Sequence, residues 1–537
     1  MPMASIGDID FNPEFQKAFD LMENSSNNVF VTGRAGTGKS TLLQYFRNNS
    51  KKKLVILAPT GVAALNVQGQ TIHSFFRFKP DITPDSVRKL KKDGTYKIID
   101  AIVIDEISMT RADLLDCVDR FMRLNGRNRQ KPFGGCQMIF IGDLYQLPPV
   151  VGGREKELFR THYAGPYFFN SEAIKSFEME FVELEKNYRQ KDEKFINLLN
   201  SIRNNTPTSD DLEMLNTRLN RSFTPPENDF YVTLTTTNDD AAAVNDHKLS
   251  MLPHKAFEYQ AKIRGSLSPA HYPTNERLSL KKGAQVMLLN NDPGKRWVNG
   301  SMGKITDMQH SEDEDIIVVQ LTSGEKVQVT PYKWEVFDFF FDRDANRIET
   351  NTIGSFTQYP LRLAWAVTIH KAQGKTFDKL VIDIGKGTFA HGQAYVALSR
   401  CRTLDGIVLK KPLEKKHVYM DWRVVKFQTN FQYRKSEEKM PLTEKIALIE
   451  EAIAGAIPLE ITYLKANDIK SRRIVLPKKV GEFEYLGKSF LGLAAFCMKR
   501  KEYRNFRIDR MLEIKQVRTG KKSDPEISEL LIHYNND

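Results

Sequence analysis

The chain has 537 residues, 41% of them hydrophobic and 27% charged, with a formal net charge of +12. That length calls for three or four domains around separate cores, and the positive surplus suits a polyanionic partner, of which nucleic acid is the usual one. No apolar run approaches the ~18 residues of a membrane span, and four scattered cysteines (Cys117, Cys136, Cys401, Cys497) without a Cys-x-x-Cys pair argue against zinc and against a disulfide framework.

From the N-terminus, MPMASIGDIDFNPEF carries acids and no apolar core, so a secretory leader is not expected. Beyond it, short β-rich runs alternate with helical ones. NVFVTG predicts a strand, KSTLLQYFRN a helix, and KLVILAP, AIVIDE and QMIFIGD further strands. Apolar runs of this length between helices predict a parallel sheet covered on both faces, here over residues 1–190. A polar, basic stretch at 77–97 reads as a small rim insert. A second α/β unit opens within 191–260 (FYVTLTTTNDDAAAVN) and resumes over 356–430 (LRLAWAVTIHKAQGKT). Alternating strands broken by Gly and Asn at 261–355 predict an antiparallel roll between them. The charged residues 431–445 read as a linker and 446–525 as a last, basic, β-rich domain. From Met440 to Ser523 there are 18 Lys and Arg against 10 Asp and Glu, a surplus of +8.

GRAGTGKS, Gly33 to Ser40, satisfies G-x-x-x-x-G-K-[ST] between a predicted strand and a predicted helix. Gly33, Gly36 and Gly38 let backbone N–H groups turn inward around phosphate oxygens, with Thr37 and Thr41 beside them. The helix N-terminus adds positive potential. Lys39 is placed for the β- and γ-phosphates of a nucleotide and Ser40 for Mg²⁺. The strand AIVI ends in Asp105, a second Mg²⁺ ligand, and Glu106, placed to polarise a water as general base. Far downstream, TIHKAQGKT also ends in Gly-Lys-Thr. A phosphate loop ending there needs glycine at 369, where Ile369 stands. The stretch is not a second nucleotide site, and its polar residues read as a loop facing a cleft.

Together GRAGTGKS, APTGVAA, TIHSFF, VIDEISM, FGGCQMIFIGDLYQLPPV, LEKNYRQ, LTTTNDDAAAVN, TIHKAQGKT and YVALSRCR resemble the Pif1 family of superfamily 1 (1B) helicases, over roughly residues 10–430. The resemblance implies two RecA-like domains, with 77–97 as a strand-separating wedge and 261–355 as an SH3-like insert. It implies that TIHKAQGKT serves the first site from the second domain, with Gly374 near the phosphates. Arg189 and Arg400 become arginine fingers, whose planar fork stabilises charge on a transferring phosphoryl group. Gln146 would sense the γ-phosphate and Gln16 would read adenine. Pro59, Thr60, Gly61, His73, Ser74, Thr237, Asn238, Thr368, His370 and Lys371 would face the DNA backbone, and Phe75 or Phe76 could stack a base.

The segment from IPLEITYL to RNFRIDRM resembles a WYL domain, a small Sm-like β module. Tyr463, Arg472, Arg473, Arg504, Arg507 and Arg510 match, and SFLGL stands near the place of the family's Trp-Tyr-Leu. The resemblance implies a site for a polyanion, nucleic acid or a nucleotide-like effector. The whole then reads as a bacterial-type, monomeric, cytoplasmic and nucleoid-associated helicase. It would use ATP and Mg²⁺ and move 5′ to 3′ on single-stranded DNA. Its substrates would be single-strand/duplex junctions, G-quadruplexes and RNA–DNA hybrids, in replication, repair or telomere maintenance. Two other readings fit the same residues: a DNA-stimulated translocase that barely unwinds, and a regulator whose tail senses an effector.

Overall fold

The first strand, β1 (Asn28–Gly33), is buried from Val29 onward, and the strands Leu54–Ala58, Ala101–Ile104 and Gln137–Ile141 are buried in the same way. Such strands need cover on both faces. With β2 (Leu54–Ala58), β3 (Gln70–Thr71), β4 (Ala101–Ile104), β5 (Gln137–Ile141) and β6 (Met179–Leu184), it forms one sheet ordered β3-β2-β4-β5-β1-β6. Every pairing in it is parallel. This computed structural model describes residues 10–517, apart from 80, 91–93, 153–154, 176, 227–228, 266–271, 310–313, 343–346, 386, 389, 466–467 and 486. Residues 518–525 of the expected last domain lie outside those described.

Helices α1 (Pro13–Asn24) and α2 (Lys39–Asn49) cover one face, packing Phe15, Met22, Leu42 and Phe46 on Val29, Val31, Val103 and Ile139. Asn12 starts α1 by accepting from the Phe15 N–H, with Pro13 in the first turn. A short helix, α3 (Gly61–Asn66), follows β2. The second sheet is also parallel, ordered Ala366–Thr368, Val232–Thr235, Leu380–Ile382, Ile407–Leu409. A five-stranded antiparallel sheet is inserted in it, from Gln285–Leu288 to Leu361–Leu363, around Trp297, Ile305, Val319 and Leu361. The insert therefore runs past residue 355, because Leu361–Leu363 pairs with Gln285–Leu288.

The chain divides into two compact units, Met1–Met420 and Asp421–Asp537. In the second, five antiparallel strands (Leu459–Leu464, Lys470–Tyr485, Lys488–Cys497, Glu502–Arg507, Met511–Gln516) bury Ile461, Val475, Leu493, Ile508 and Met511. Residues 431–445 correct the linker expectation. They belong to the helices Trp422–Lys439 and Leu442–Ala454, joined at Met440-Pro441. Ser436 of the first donates to the carbonyls of Met511 (3.1 Å) and Leu512 (2.8 Å), so it packs on the sheet.

Candidate active site and nucleic-acid interface

The Gly33–Gly38 loop leaves β1 and enters α2 at Lys39 through left-handed turns, Gly36 at φ +84° and Gly38 at +89°. A Cβ at Gly36 would stand 2.6 Å from the Cβ of Arg189, so the loop meets the NYRQ segment only with glycine there. Thr37 Oγ1 donates to the Arg34 carbonyl at 2.9 Å. The Lys39 ammonium donates to the carbonyls of Gly33 (2.7 Å) and Arg34 (3.0 Å), and burial lowers its pKa against the pull of Asp143 and Glu106. Ser40 and Thr41 lie exposed in the first turn of α2.

Asp105 and Glu106 follow β4. Glu106 is left-handed, φ 50° and ψ 43°, a conformation that costs a side-chain residue on the order of 1–3 kcal/mol and that clusters at functional sites. Burial, then the neighbouring Glu106, pushes the Asp105 carboxyl up to about 7. Burial also raises Glu106, opposed by Lys39 and Arg400. After β5 comes Asp143, wholly buried, accepting from Arg203 Nη2 at 3.3 Å and from Gln146 Nε2 at 3.4 Å.

The second sheet closes this site. Gln373 Nε2 donates to Glu106 Oε2 at 2.8 Å and to Gln146 Oε1 at 3.4 Å. The Tyr395 hydroxyl, on the helix Gln393–Ser399, accepts from the Ala35 N–H of the phosphate loop at 2.9 Å. Arg400 is 1% exposed, and its guanidinium donates to Val396 O and Ser399 Oγ. Arg189 Nη1 donates to the Ser399 carbonyl at 3.1 Å. Burial, then Arg400, brings Arg189 down to about 9. Gly392 sits at φ +75°, and a Cβ there would lie 2.4 Å from the Tyr145 carbonyl oxygen.

Lys39, Asp105, Glu106, Gln146, Arg189, Arg400 and Gln373 therefore share one buried cleft. Gln16 stands apart, exposed on α1 with its amide on Asp20 at 3.0 Å. The sequence reading missed Asp143, Arg203, Tyr188 and Tyr395. Asp143 ends an apolar strand as Asp105 does, and that was its signal. Tyr188 is 39% exposed, hydrogen-bonded to Asn12 and Asp10, and its ring lies 3.7 Å from a Cβ position at Gly38. It offers a flat face at the mouth of the loop.

On the other side of the TIHKAQGKT turn are the residues expected to meet a nucleic-acid backbone. Thr368 pairs in register with Thr235, so adjacent parallel strands deliver Thr368–Lys371 and Thr237-Asn238 side by side. Thr237 caps the helix Asn238–Met251, its Oγ1 accepting from the Asp240 N–H. Thr368 is buried, with Oγ1 accepting from the Lys371 N–H at 3.3 Å. Burial lowers the pKa of both His370 and Lys371. Pro59, Thr60 and Gly61 turn the chain into α3, where Thr60 Oγ1 accepts from Ala63 N–H. His73 and Ser74 are half-buried in the helix Ile72–Phe76. Phe75 is corrected: at 2% exposure, and Phe76 at 1%, both rings pack with Tyr96, and Phe76 also with Phe78 and Phe121. Neither ring presents a face to a base.

In the second unit the matched arginines do not share one site: Arg507 and Arg510 stand near Tyr433. Arg473 is buried with Nη1 on Cys497 Sγ, and Arg472 alternates to the opposite face of its strand. Arg504 faces Glu502, and Arg507 pairs with Asp509. Arg473 and Arg504 instead stand near Lys465, Lys499 and Arg500, lowering the pKa of Lys465 after burial.

Residues 11–212 match the PIF1-like helicase family and residues 444–516 the WYL domain. The chain is 32% identical over 440 residues to the ATP-dependent DNA helicase Pif1 of Bdellovibrio bacteriovorus, covering 80% of this chain and 93% of that protein. It is 34% identical over 391 residues to human ATP-dependent DNA helicase PIF1, covering 71% of this chain and 57% of the human protein. The crystal structure of Pif1 helicase from Bacteroides in complex with ADP-AlF3 and ssDNA matches with a TM-score of 0.60 and 38% identity, over 79% of this chain and 98% of that one. With identity of this order across both parallel sheets, the chain belongs to the family of PIF1-like helicases and carries a WYL domain behind them.

Proposed function

We propose that this chain, an ATP-dependent DNA helicase by family, moves 5′ to 3′ along single-stranded DNA and separates duplex strands as it goes. The direction follows the family resemblance, and the observation that supports coupling of hydrolysis to strand movement is the 2.8 Å bond from Gln373 to Glu106. It joins the base to the turn that also bears Thr368, His370 and Lys371, so one rigid segment touches both nucleotide site and nucleic-acid face. The Ala372 N–H donates to Thr368 O and the Lys375 N–H to Ala372 O, which makes that segment a tight turn. The Bacteroides relative was crystallised with ADP-AlF3 and ssDNA together, which agrees with both faces being used.

In this reading Lys39 and the loop amides hold the β- and γ-phosphates, Arg189 and Arg400 take up charge that develops on the γ-phosphoryl group, and Glu106 accepts the proton of the attacking water. Gln146 senses the γ-phosphate, Tyr188 stacks the base, and Gln16 reads its edge. The Ser40 hydroxyl and the Asp105 carboxylate are hard oxygen donors of the kind Mg²⁺ takes. A cation there also fits a buried carboxyl that burial pushes up to about 7. When bound, Mg²⁺ supplies neutralising charge between the phosphates. Pro59, Thr60, Gly61, His73, Ser74, Thr237, Asn238, Thr368, His370 and Lys371 follow the strand backbone without reading sequence. G-quadruplexes and RNA–DNA hybrids are further substrates, and the WYL domain adds a basic surface that tunes DNA binding.

The test is ATP hydrolysis with and without an oligothymidylate, for wild type and Lys39→Ala, with unwinding of 5′- and 3′-tailed duplexes. DNA-stimulated turnover lost in Lys39→Ala, and unwinding of the 5′-tailed substrate alone, are the expected results. Turnover indifferent to DNA would remove the channel assignment.

A further inference from the structure

Lys375, at the end of the same turn, is a half-buried cation outside the residues assigned to hydrolysis. Its ammonium donates to Asn299 Oδ1 at 2.8 Å. Asn299 belongs to the β insert, where its N–H donates to Asn291 Oδ1 at 2.9 Å. Its amide Nδ2 donates to Asn66 Oδ1, at the end of α3, at 2.9 Å. The lysine stem runs along Gly300, where a Cβ would stand 3.6 Å from Lys375 Cγ. One lysine is thus tied, through one asparagine, to all three bodies of the motor. Arg362 stands nearby on the strand Leu361–Leu363, its Nη2 donating to the Pro273 carbonyl at 2.7 Å.

Among the described residues, Arg362, Lys371 and Lys375 form no ion pair with a carboxylate. Burial lowers all three, Lys375 to about 8, and Arg362 further depresses both lysines. Lys371 is exposed and the other two are half-buried, and like charges held this close, two of them partly desolvated, favour an anion that joins them. Arg362 and Lys375 keep part of their surface open to solvent, so a partner can reach them. The polar partner of Lys375 is Asn299 of the insert and that of Arg362 is the Pro273 carbonyl, so neither bonds to the phosphate loop.

We propose that Arg362, Lys371 and Lys375 form one phosphate-binding station on the single-strand path, with the Asn66–Asn299–Lys375 bridge fixing the Lys375 ammonium in it. This rests on the nucleic-acid face proposed above and adds Arg362 and Lys375 as phosphate ligands, with Asn66 and Asn299 as positioning residues.

The experiment is fluorescence anisotropy of a labelled oligothymidylate titrated with the full chain across a sodium chloride series. Lys375→Met should bind more weakly, with the slope of log affinity against log salt shallower by ~0.7 per lost phosphate contact. Lys375→Arg should keep the wild-type slope. Asn299→Ala, which leaves the charge in place, should lose ~2–10-fold in affinity at unchanged slope, as for one hydrogen bond. A wild-type slope in Lys375→Met, or weakened binding of a non-hydrolysable ATP analogue at a wild-type slope, would overturn the station. Unchanged affinity in Asn299→Ala would overturn the bridge. Wild-type protein that binds the oligonucleotide without salt dependence would instead remove the nucleic-acid reading itself.

Discussion

Glu106 carries its carboxyl on a left-handed backbone, while burial favours the neutral form and Gln373 holds one oxygen. To accept a proton it must be ionised, so hydrolysis should rise with pH along a limb above the ordinary carboxylate range. The turnover number at saturating ATP and Mg²⁺ should be lower at pH 6 than at pH 8, and a rate flat from pH 5 upward would contradict this. Glu106→Gln should cut turnover ~10²–10⁴-fold, as loss of a general base does, with ATP-analogue binding retained. Asp105 adds a stability prediction. Its folded value of about 7 lies above the ordinary 3.8, so the native state holds a proton that the unfolded chain releases. That stabilisation is complete below about 3.8 and is lost as pH rises to about 7. Metal-free Asp105→Asn should therefore melt above wild type at pH 8, by ~2–4 °C for each kcal/mol recovered, and the gap should close at pH 4. Lys39, Asp105 and Glu106 were legible because each belongs to a short motif that directly follows an apolar strand, β1 for the lysine and β4 for the two acids. Gln373 and Tyr395 were not, since each acts through a contact more than 250 residues away. Phe75 misled because a ring that stacks a base and a ring that fills a core are the same residue until the packing is known.

At the scale of elements, the helix Trp422–Lys439 was the clearest miss. Its Lys, Arg, Glu and Gln residues are good helix formers as well as linker-like charges, and Arg434 faces Glu438 one turn on. The sheet decides between the two readings: Tyr433 OH donates to the Leu464 carbonyl, and the buried Lys445 ammonium donates to Ser436 Oγ at 2.9 Å. Residues 421–517 should then fold alone with a cooperative thermal transition. Residues 441–517 lose Ser436 and leave Lys445 without that acceptor, so they should melt many degrees lower or not fold. Equal melting of the two fragments would mean the helix is an ornament. The parallel sheets were readable because their strands are apolar on both faces. The insert's true end at Leu363 was not, because a three-residue strand carries no pattern of its own.

Over the whole molecule, the +12 charge predicted a polyanion without saying where it binds. Removing residues 421–537 should leave DNA-stimulated hydrolysis in Met1–Met420, which contains every residue of the cleft, while making DNA affinity less sensitive to salt. Loss of all hydrolysis in that fragment would favour a tail-controlled switch. The cleft has one more consequence. Lys39 is already bonded to two carbonyls of its own loop, and the Ala35 N–H to the hydroxyl of Tyr395 from the opposite sheet. Lys39 keeps a third N–H for a phosphate, but a phosphate that takes the single Ala35 N–H must displace the Tyr395 hydroxyl. If nucleotide binds this loop as proposed, its entry at Ala35 is an exchange of ligands rather than an addition. The Tyr395 hydroxyl is placed to take that donor back when product leaves.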